Sequence, residues 1–597
     1  MRDFAEHHEA HQDRKVFARF FTYLKPHLRT FILAFVLMIL GTFTGIILPL
    51  ASGLAIDQMQ NPLLTLNDKL WILGIGTGVL LLVSAFSTYV SYLQNIMLQA
   101  VGQKITHDIR MQVFDHINTL SIGQINSLPV GKLVTRATND PGNISDMFTN
   151  TLVNVIRSGL TLVVIAVILI SIQPLMALIT FAVIPLILLA SDIYQKASRG
   201  AYRAVRNQIS EMNAYLSEHL SGMKIIHVFN QQKKVKGSFD RINRQLKKDS
   251  IKEMYTFAIY RPILYFLSMI ATILAIFFGV INVLEGVITV GLFVSFYVYI
   301  GQFFEPIQQI SEQLNTLQSS FASAEKIFDV LDTKPLVEDQ PNAIELTSFK
   351  GKVEFRNVWF SYLPDEWVLK NVSFTIQPNE TVALVGATGS GKTTILQLIV
   401  RNYDIQKGDI LIDDIPIRQI TRASLRKHVG QMLQDVFLFS GTIKDNITLQ
   451  NEAITDPQIQ QAIDYVGLDF VIKKRQEGLA YQVKERGKNF SSGERQLISF
   501  ARALVYRPSL MMLDEATANI DSESETIIQQ SLEKMMSIST MIIVAHRLST
   551  IQHSDRIIVM QKGEIKETGT HQALLKTKGL YYNLYLLQYD SKETINR

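Results

Sequence analysis

The 597-residue chain contains no cysteine. Disulfides, thiolate metal ligands and thiol nucleophiles are therefore excluded, while the compartment stays open, because reducing and oxidising surroundings both tolerate a chain without thiols. Charge is also sparse: Asp, Glu, Lys and Arg make up 19% of the residues and the net charge is +5. No dense basic patch of the kind that binds a phosphate backbone is present, so nucleic acid is not an expected partner. The N-terminus lacks the short apolar core and small-residue cleavage site of a secretion signal, being rich instead in His, Asp, Glu and Arg. There is no internal repeat. What the chain has in excess is apolar residues, 47% of the total, high for a soluble protein of this length.

Those apolar residues are concentrated in the first half. Uncharged runs cover Thr30 to Ile56, Leu70 to Gln103, Ser158 to Ser191, Pro262 to Leu284 and Gly286 to Phe304. About 20 apolar residues span a bilayer as a helix. The third run is too long for one span and breaks at Ser171-Ile172-Gln173-Pro174. Six spans result, near 31–55, 70–93, 150–171, 174–193, 262–284 and 286–306. Near the membrane before the first span stand five Lys and Arg (Arg14, Lys15, Arg19, Lys25 and Arg29), with five more in 104–157 and fourteen in 193–261, whereas the three short connections hold only Lys69. The positive-inside bias predicts both termini and both long connections in the cytoplasm. Those connections keep helical periodicity over 94–120 and 194–250. Each carries a break, Asn139-Asp140-Pro141-Gly142-Asn143 and Leu220-Ser221-Gly222-Met223-Lys224, where either a short crosswise helix or a plain turn fits. Ahead of the first span, Val16, Phe17, Phe20, Phe21 and Leu24 share one helical face. That pattern suits an amphipathic helix on the membrane surface or one packed on a core.

Helical pattern continues to about Leu331, and Asp332 to Lys350 reads as a linker. Beyond Gly351, short β-rich runs (Val353–Phe360, Val382–Val385, Met541–Val544, Arg556–Met560) alternate with helical stretches, as in an α/β domain. The strand Thr381–Val385 leads into Gly386-Ala387-Thr388-Gly389-Ser390-Gly391-Lys392-Thr393, and Thr394 continues into a helix. Glycines there let backbone N–H groups close on phosphate oxygens, Lys392 reaches the β- and γ-phosphates, and the Thr393 hydroxyl suits Mg²⁺. A second apolar strand, Leu510–Leu513, ends in Asp514 and Glu515. Asp514 fits a metal-holding role and Glu515 the polarisation of an attacking water.

With these pieces in this order, residues 351–590 resemble the nucleotide-binding domain of ATP-binding cassette (ABC) ATPases. The resemblance implies ATP and Mg²⁺ as cofactors and assigns further roles. Tyr362 matches the aromatic that stacks on adenine, and Gln434 the glutamine that senses Mg²⁺. Ser491 and Gly493 lie in the signature motif, Asp521 in the D-loop, and His546 matches the switch histidine that contacts the γ-phosphate. The first half extends the likeness to an ABC exporter half-transporter. The implied fold is an α-helical membrane domain of six transmembrane helices with long cytoplasmic extensions, plus an α/β P-loop ATPase domain. Its boundaries are an N-terminal segment 1–30, a membrane domain 31–331, a linker 332–350 and a nucleotide-binding domain 351–597. The implied setting is a multi-pass protein of a bacterial cell membrane. In that family two chains work together, each ATP lying between the phosphate loop of one and the signature helix of the other.

The signature here departs from the usual Leu-Ser-Gly-Gly-Gln, reading Phe490-Ser491-Ser492-Gly493-Glu494. Ser492 adds a side chain where close approach is wanted, and Glu494 puts a negative charge near a triphosphate. Lys392, Gln434, Asp514, Glu515 and His546 are all present. A full catalytic set beside an altered signature resembles one subunit of bacterial heterodimeric multidrug exporters, so a heterodimer is favoured over a homodimer. The expected cargo is a small amphipathic compound. Phe293, Phe296, Tyr297 and Phe304 in the sixth span line a substrate cavity or pack on neighbouring helices. Arg157 faces a cavity or snorkels to the headgroups. Two other readings stand beside the exporter: an importer of the same architecture, and a membrane-tethered P-loop ATPase acting on DNA or protein.

Overall fold

The computed structural model describes residues 19, 21–433, 435–514, 522–545 and 551–595. The chain divides into two compact units. One comprises the residues up to Asn118 with Val130–Thr333, and the other Thr119–Pro129 with Lys334 onward.

The first unit is helical, built among the described residues on α1 (Leu28–Gln60), α2 (Leu66–Thr119), α4 (Val130–Asp146), α5 (Leu152–Ile172), α6 (Pro174–Phe181), α7 (Ile184–Ser221), α8 (Met223–Val228), α9 (Gln232–Leu284) and α10 (Val290–Asp332), while α3 (Ile122–Ser127) belongs to the second unit. Six stretches among the described residues are long and apolar enough to cross a membrane. In lipid every backbone polar group must be satisfied internally, which is why the spans are helices. The break before α6 sits at Gln173, whose side chain donates to Asn282 Oδ1 (2.9 Å). At the α1 and α10 ends, the Asp57 carboxylate accepts from Gly291 N (2.7 Å) and Thr289 Oγ1 (2.5 Å), so one helix caps the other. α10 packs along α1, α4 and α5, and α9 along α7.

Two features of the long connections emerge. The second break holds: α7 ends at Gly222 and the short helix α8 follows. The first is misplaced. Residues 139–143 lie inside α4, with Pro141 within the helix. A proline there frees the carbonyl four residues back, and that oxygen, of Ala137, accepts from Arg110 Nε (3.1 Å). Asn143 donates to Ser323 Oγ, and its own carbonyl accepts from Ser320 (2.8 Å), so packing on α10 absorbs the turn-forming residues. The chain breaks instead on either side of α3, which opens on a capping box between Ser121 and Gln124.

Val16, Phe17 and Phe20 lie outside the described residues. At the described end of their segment, Leu24 is buried with Val101, Ile105 and Phe328, while Phe21 is exposed. Arg19 pairs with Asp332 (2.6 Å) and lies over the Phe328 ring.

Among the described residues the second unit holds twelve strands: β1 (Val353–Ser361), β2 (Trp367–Ile376), β3 (Thr381–Gly386), β4 (Lys407–Ile412), β5 (Ile415–Pro416), β6 (Val429–Met432), β7 (Gly441–Thr442), β8 (Gln482–Val483), β9 (Leu510–Asp514), β10 (Thr540–Val544), β11 (Arg556–Gln561) and β12 (Glu564–Gly569). A six-stranded sheet runs β12-β11-β3-β10-β9-β6, parallel except for β12, and a four-stranded antiparallel sheet runs β2-β1-β4-β5. The parallel strands are buried on both faces, as their continuous apolar runs require. Period two sorts them: Ala383, Met511, Leu513 and Ile543 enter one core, while Leu384, Leu510, Met512 and Ile542 enter the other. Helices α11 (Lys392–Ile399) and α13 (Ser492–Val505) carry candidate site residues, and α12 (Asp456–Val466) packs on α13.

Candidate nucleotide site

Ligands of open parallel sheets gather at the carboxyl ends of the strands. Here β3 delivers the phosphate loop and β9 delivers Asp514, with β10 between them in register: Val544 pairs with both Leu384 and Asp514. Gly391 caps α11 at φ +101°. That left-handed conformation favours glycine, and a Cβ there would also crowd Leu369 Cδ2 at 2.6 Å. Lys392 is buried, and its Nζ donates to the carbonyls of Gly386 (2.8 Å) and Ala387 (3.0 Å), curling the loop around its ammonium. Burial pushes that ammonium's pKa down, and nearby Asp514 opposes the shift. Thr388, Gly389 and Ser390 complete the loop. The Ser390 hydroxyl is buried with no hydrogen-bond partner. An orphaned buried donor is costly, and at the start of a helix it fits a phosphate oxygen. Thr393 Oγ1 donates to Asp514 Oδ1 (3.3 Å), joining the two residues expected at a divalent cation.

Tyr362 stands half-exposed beside this loop, sharing a hydrogen bond with Thr394 (3.1 Å), and burial raises its phenol pKa. Its ring meets Phe360 and Tyr403 edge-on, at 4.9 and 5.1 Å between centroids. Tyr403 escaped the sequence reading. It is the contact surface of α3: a Cβ on Gly123 would fall 2.5 Å from Tyr403 Cε1. Gln124 fastens the same helix to the linker, donating to Lys334 O (2.9 Å) and accepting from Leu336 N (3.0 Å). The Ser-x-x-Gln capping pattern at 121–124 was the available signal for α3.

Ser491 caps α13 and accepts from Glu494 N (3.2 Å), with Gly493 buried in the first turn. Glu494 corrects an expectation. Its carboxylate does not project freely. It accepts from Ser491 N (2.9 Å) and from Arg475 Nη2 (3.0 and 3.1 Å). Arg475 was not singled out in the sequence, since nothing local links positions 475 and 494. Gln434, Glu515, Asp521 and His546 lie outside the described residues.

In the membrane unit Phe296 is fully buried among Ile46, Ile165, Met176 and Tyr299, so it packs within the helix bundle. Phe293 and Phe304 pack partly against the same cluster, whereas Tyr297 is 50% exposed. Arg157 is half-buried and donates to buried Gln94 (2.6 Å).

Residues 31–307 match the family model for the ABC transporter transmembrane region, and residues 369–518 match that for the ABC transporter. A Bacillus subtilis (strain 168) relative described as a probable multidrug resistance ABC transporter ATP-binding/permease protein, YheH, is 39% identical over 85% of this chain and 76% of its own. An ATP-dependent lipid A-core flippase of Syntrophus aciditrophicus (strain SB) is 32% identical over 97% of this chain and 96% of its own. A solved bacterial Atm1-family ABC exporter with ATP bound superposes with a TM-score of 0.79 at 26% identity, covering 94% of this chain and 98% of that one. Six membrane-spanning helices fused to a P-loop ATPase, matched along nearly the whole chain, make this protein a member of the ABC transporter family, an exporter-type half-transporter whose ATP hydrolysis is coupled to transport.

Proposed function

We propose that this chain exports small amphipathic compounds from the cytosol or inner leaflet, as one half of a dimer with its termini in the cytoplasm. The observation that carries the reading is Asp514 beside Thr393 at the mouth of a lysine-centred phosphate loop, on a chain that also has six membrane spans. Bound ATP supplies the γ-phosphoryl group that is transferred to water. Lys392, Ser390 and the loop amides hold its phosphates, Thr393 and Asp514 hold Mg²⁺ with Gln434, and Tyr362 stacks on the base. Glu515 orients and deprotonates the attacking water, His546 contacts the γ-phosphate, and Asp521 belongs to the D-loop. Ser491 and Gly493 serve the ATP held by the other subunit.

The family resemblance, in which each signature helix serves the other chain's ATP, and one observation support a dimer. On α8, which has no buried residue, Ile225 and Val228, together with the adjoining Phe229, are 64%, 71% and 68% exposed and offer an apolar tip to a second subunit's ATPase unit. Ser492 favours a heterodimer in which this chain's signature completes the slower site. The neutralised Glu494 favours the second reading, a homodimer, because it removes half of the grounds for calling the signature impaired. Substrate class rests on the multidrug and lipid relatives and on the exposed Tyr297. Inside-out vesicles test the function: ATP should drive a fluorescent amphipathic dye into the lumen, and ATP-driven loss of dye from preloaded vesicles would mean import.

A further inference from the structure

We propose that Arg475 is a positioning residue of the signature helix, holding the Glu494 carboxylate in the capping box and cancelling its charge where the helix end meets the partner's nucleotide. This rests on the proposal that Ser491 and Gly493 serve the other subunit's ATP. Arg475 and Glu494 are only 11% and 15% exposed, so the pair is shielded from water and its geometry is held from several sides. One guanidinium nitrogen bridges both carboxylate oxygens, and the other donates to Val471 O (2.5 Å). The guanidinium plane lies 4.3 Å over the Phe490 ring and 5.0 Å from that of Tyr481, and those two rings meet edge-on. Phe490 immediately precedes the capping serine. Arg475 therefore grips the signature at both ends of its first turn, through an aromatic face before Ser491 and a carboxylate after it.

The electrostatic consequence is specific. A bare carboxylate in the first turn would repel a triphosphate while favouring its own helix dipole. Paired with Arg475, it keeps its hydrogen bond to the Ser491 amide and contributes little net field beyond the turn. Glu494 is then not the defect that its charge suggests, and Ser492 is what remains of the departure. The two residues act as one unit, so removing Arg475 alone is worse than removing both.

The test uses the full chain, purified by a tag from its native membrane with whatever subunit accompanies it, in a Glu515→Gln background. The readout is retention of tritiated ATP against ATP concentration, with the unfolding midpoint measured alongside. Arg475→Met keeps the stacking bulk and drops the charge. It should raise the half-saturating ATP about tenfold, and Arg475→Met with Glu494→Gln should return it to within about twofold. Equal impairment of the single and double variants would overturn the proposal, leaving Arg475 a packing residue. If Arg475→Met fails to fold, Glu494→Gln alone decides. An uncompensated cation at the helix end should lower the half-saturating ATP, and an unchanged value contradicts compensation. Ser491→Arg separates the two claims: if it leaves retention intact, the signature does not meet nucleotide and the underlying reading fails. If it abolishes retention while single and double variants agree, only the role of Arg475 fails.

Discussion

Single side chains carry the chemistry, and the sequence was most legible there where residue type and local order suffice. Glycines, Lys392 and Thr393 in one loop, and Asp514 at a strand end, were readable because adjacent residues and one buried strand determine them. Arg475 and Tyr403 were not, because their partners lie far along the chain and nothing but the folded structure brings them together. Glu515→Gln should leave ATP binding intact and cut turnover by at least about 100-fold, as loss of a positioned base does, checked by paired binding and phosphate-release assays. The aromatic residues of the sixth span separate in a similar way. Phe296→Ala opens a cavity in a packed cluster and should lower the unfolding midpoint and folded yield whatever the substrate, at a cost of about 3–5 kcal/mol. Tyr297→Ala should leave the midpoint within about 1 °C, since exposed sites contribute little, while changing which dyes stimulate ATPase.

Secondary-structure elements were read well where periodicity is long and badly where local turn chemistry competes with packing. The five strands read from apolar runs and the six spans fell where that pattern placed them, while the shorter or more polar strands β2, β4 to β8 and β12 were not read. The Asn-Asp-Pro-Gly-Asn run misled because Arg110 satisfies the carbonyl that Pro141 releases and α10 bonds Asn143. Short α3 was missed for the opposite reason: six residues are too few for a periodic signal, and only its capping box announces it. This helix is continuous in the chain with α2 and α4 yet folds with the ATPase unit, against a tyrosine that touches Tyr362. Gly123→Val should displace Tyr403 and through it Tyr362. The expected outcome is a several-fold weaker binding of a fluorescent ATP analogue, with the intrinsic fold kept, measured by titration and by thermal unfolding. Gly123→Ala should give a smaller shift in the same direction.

For the whole molecule, the decisive property is one that a single chain does not contain. Both compact units and the ATPase identity follow from this sequence, whereas in the proposed dimer the nucleotide that α13 serves and the surface that meets α8 belong to another subunit. The asymmetric dimer therefore stands on Ser492 and on an otherwise complete set of catalytic residues. Turnover of the purified chain reconstituted alone in lipid tests it most directly. With Glu515 intact and no second subunit, the account predicts ATP hydrolysis near background, rising at least about tenfold when the subunit recovered from the native membrane is added. Robust hydrolysis by the chain alone would contradict it and make the protein a homodimer with a working signature.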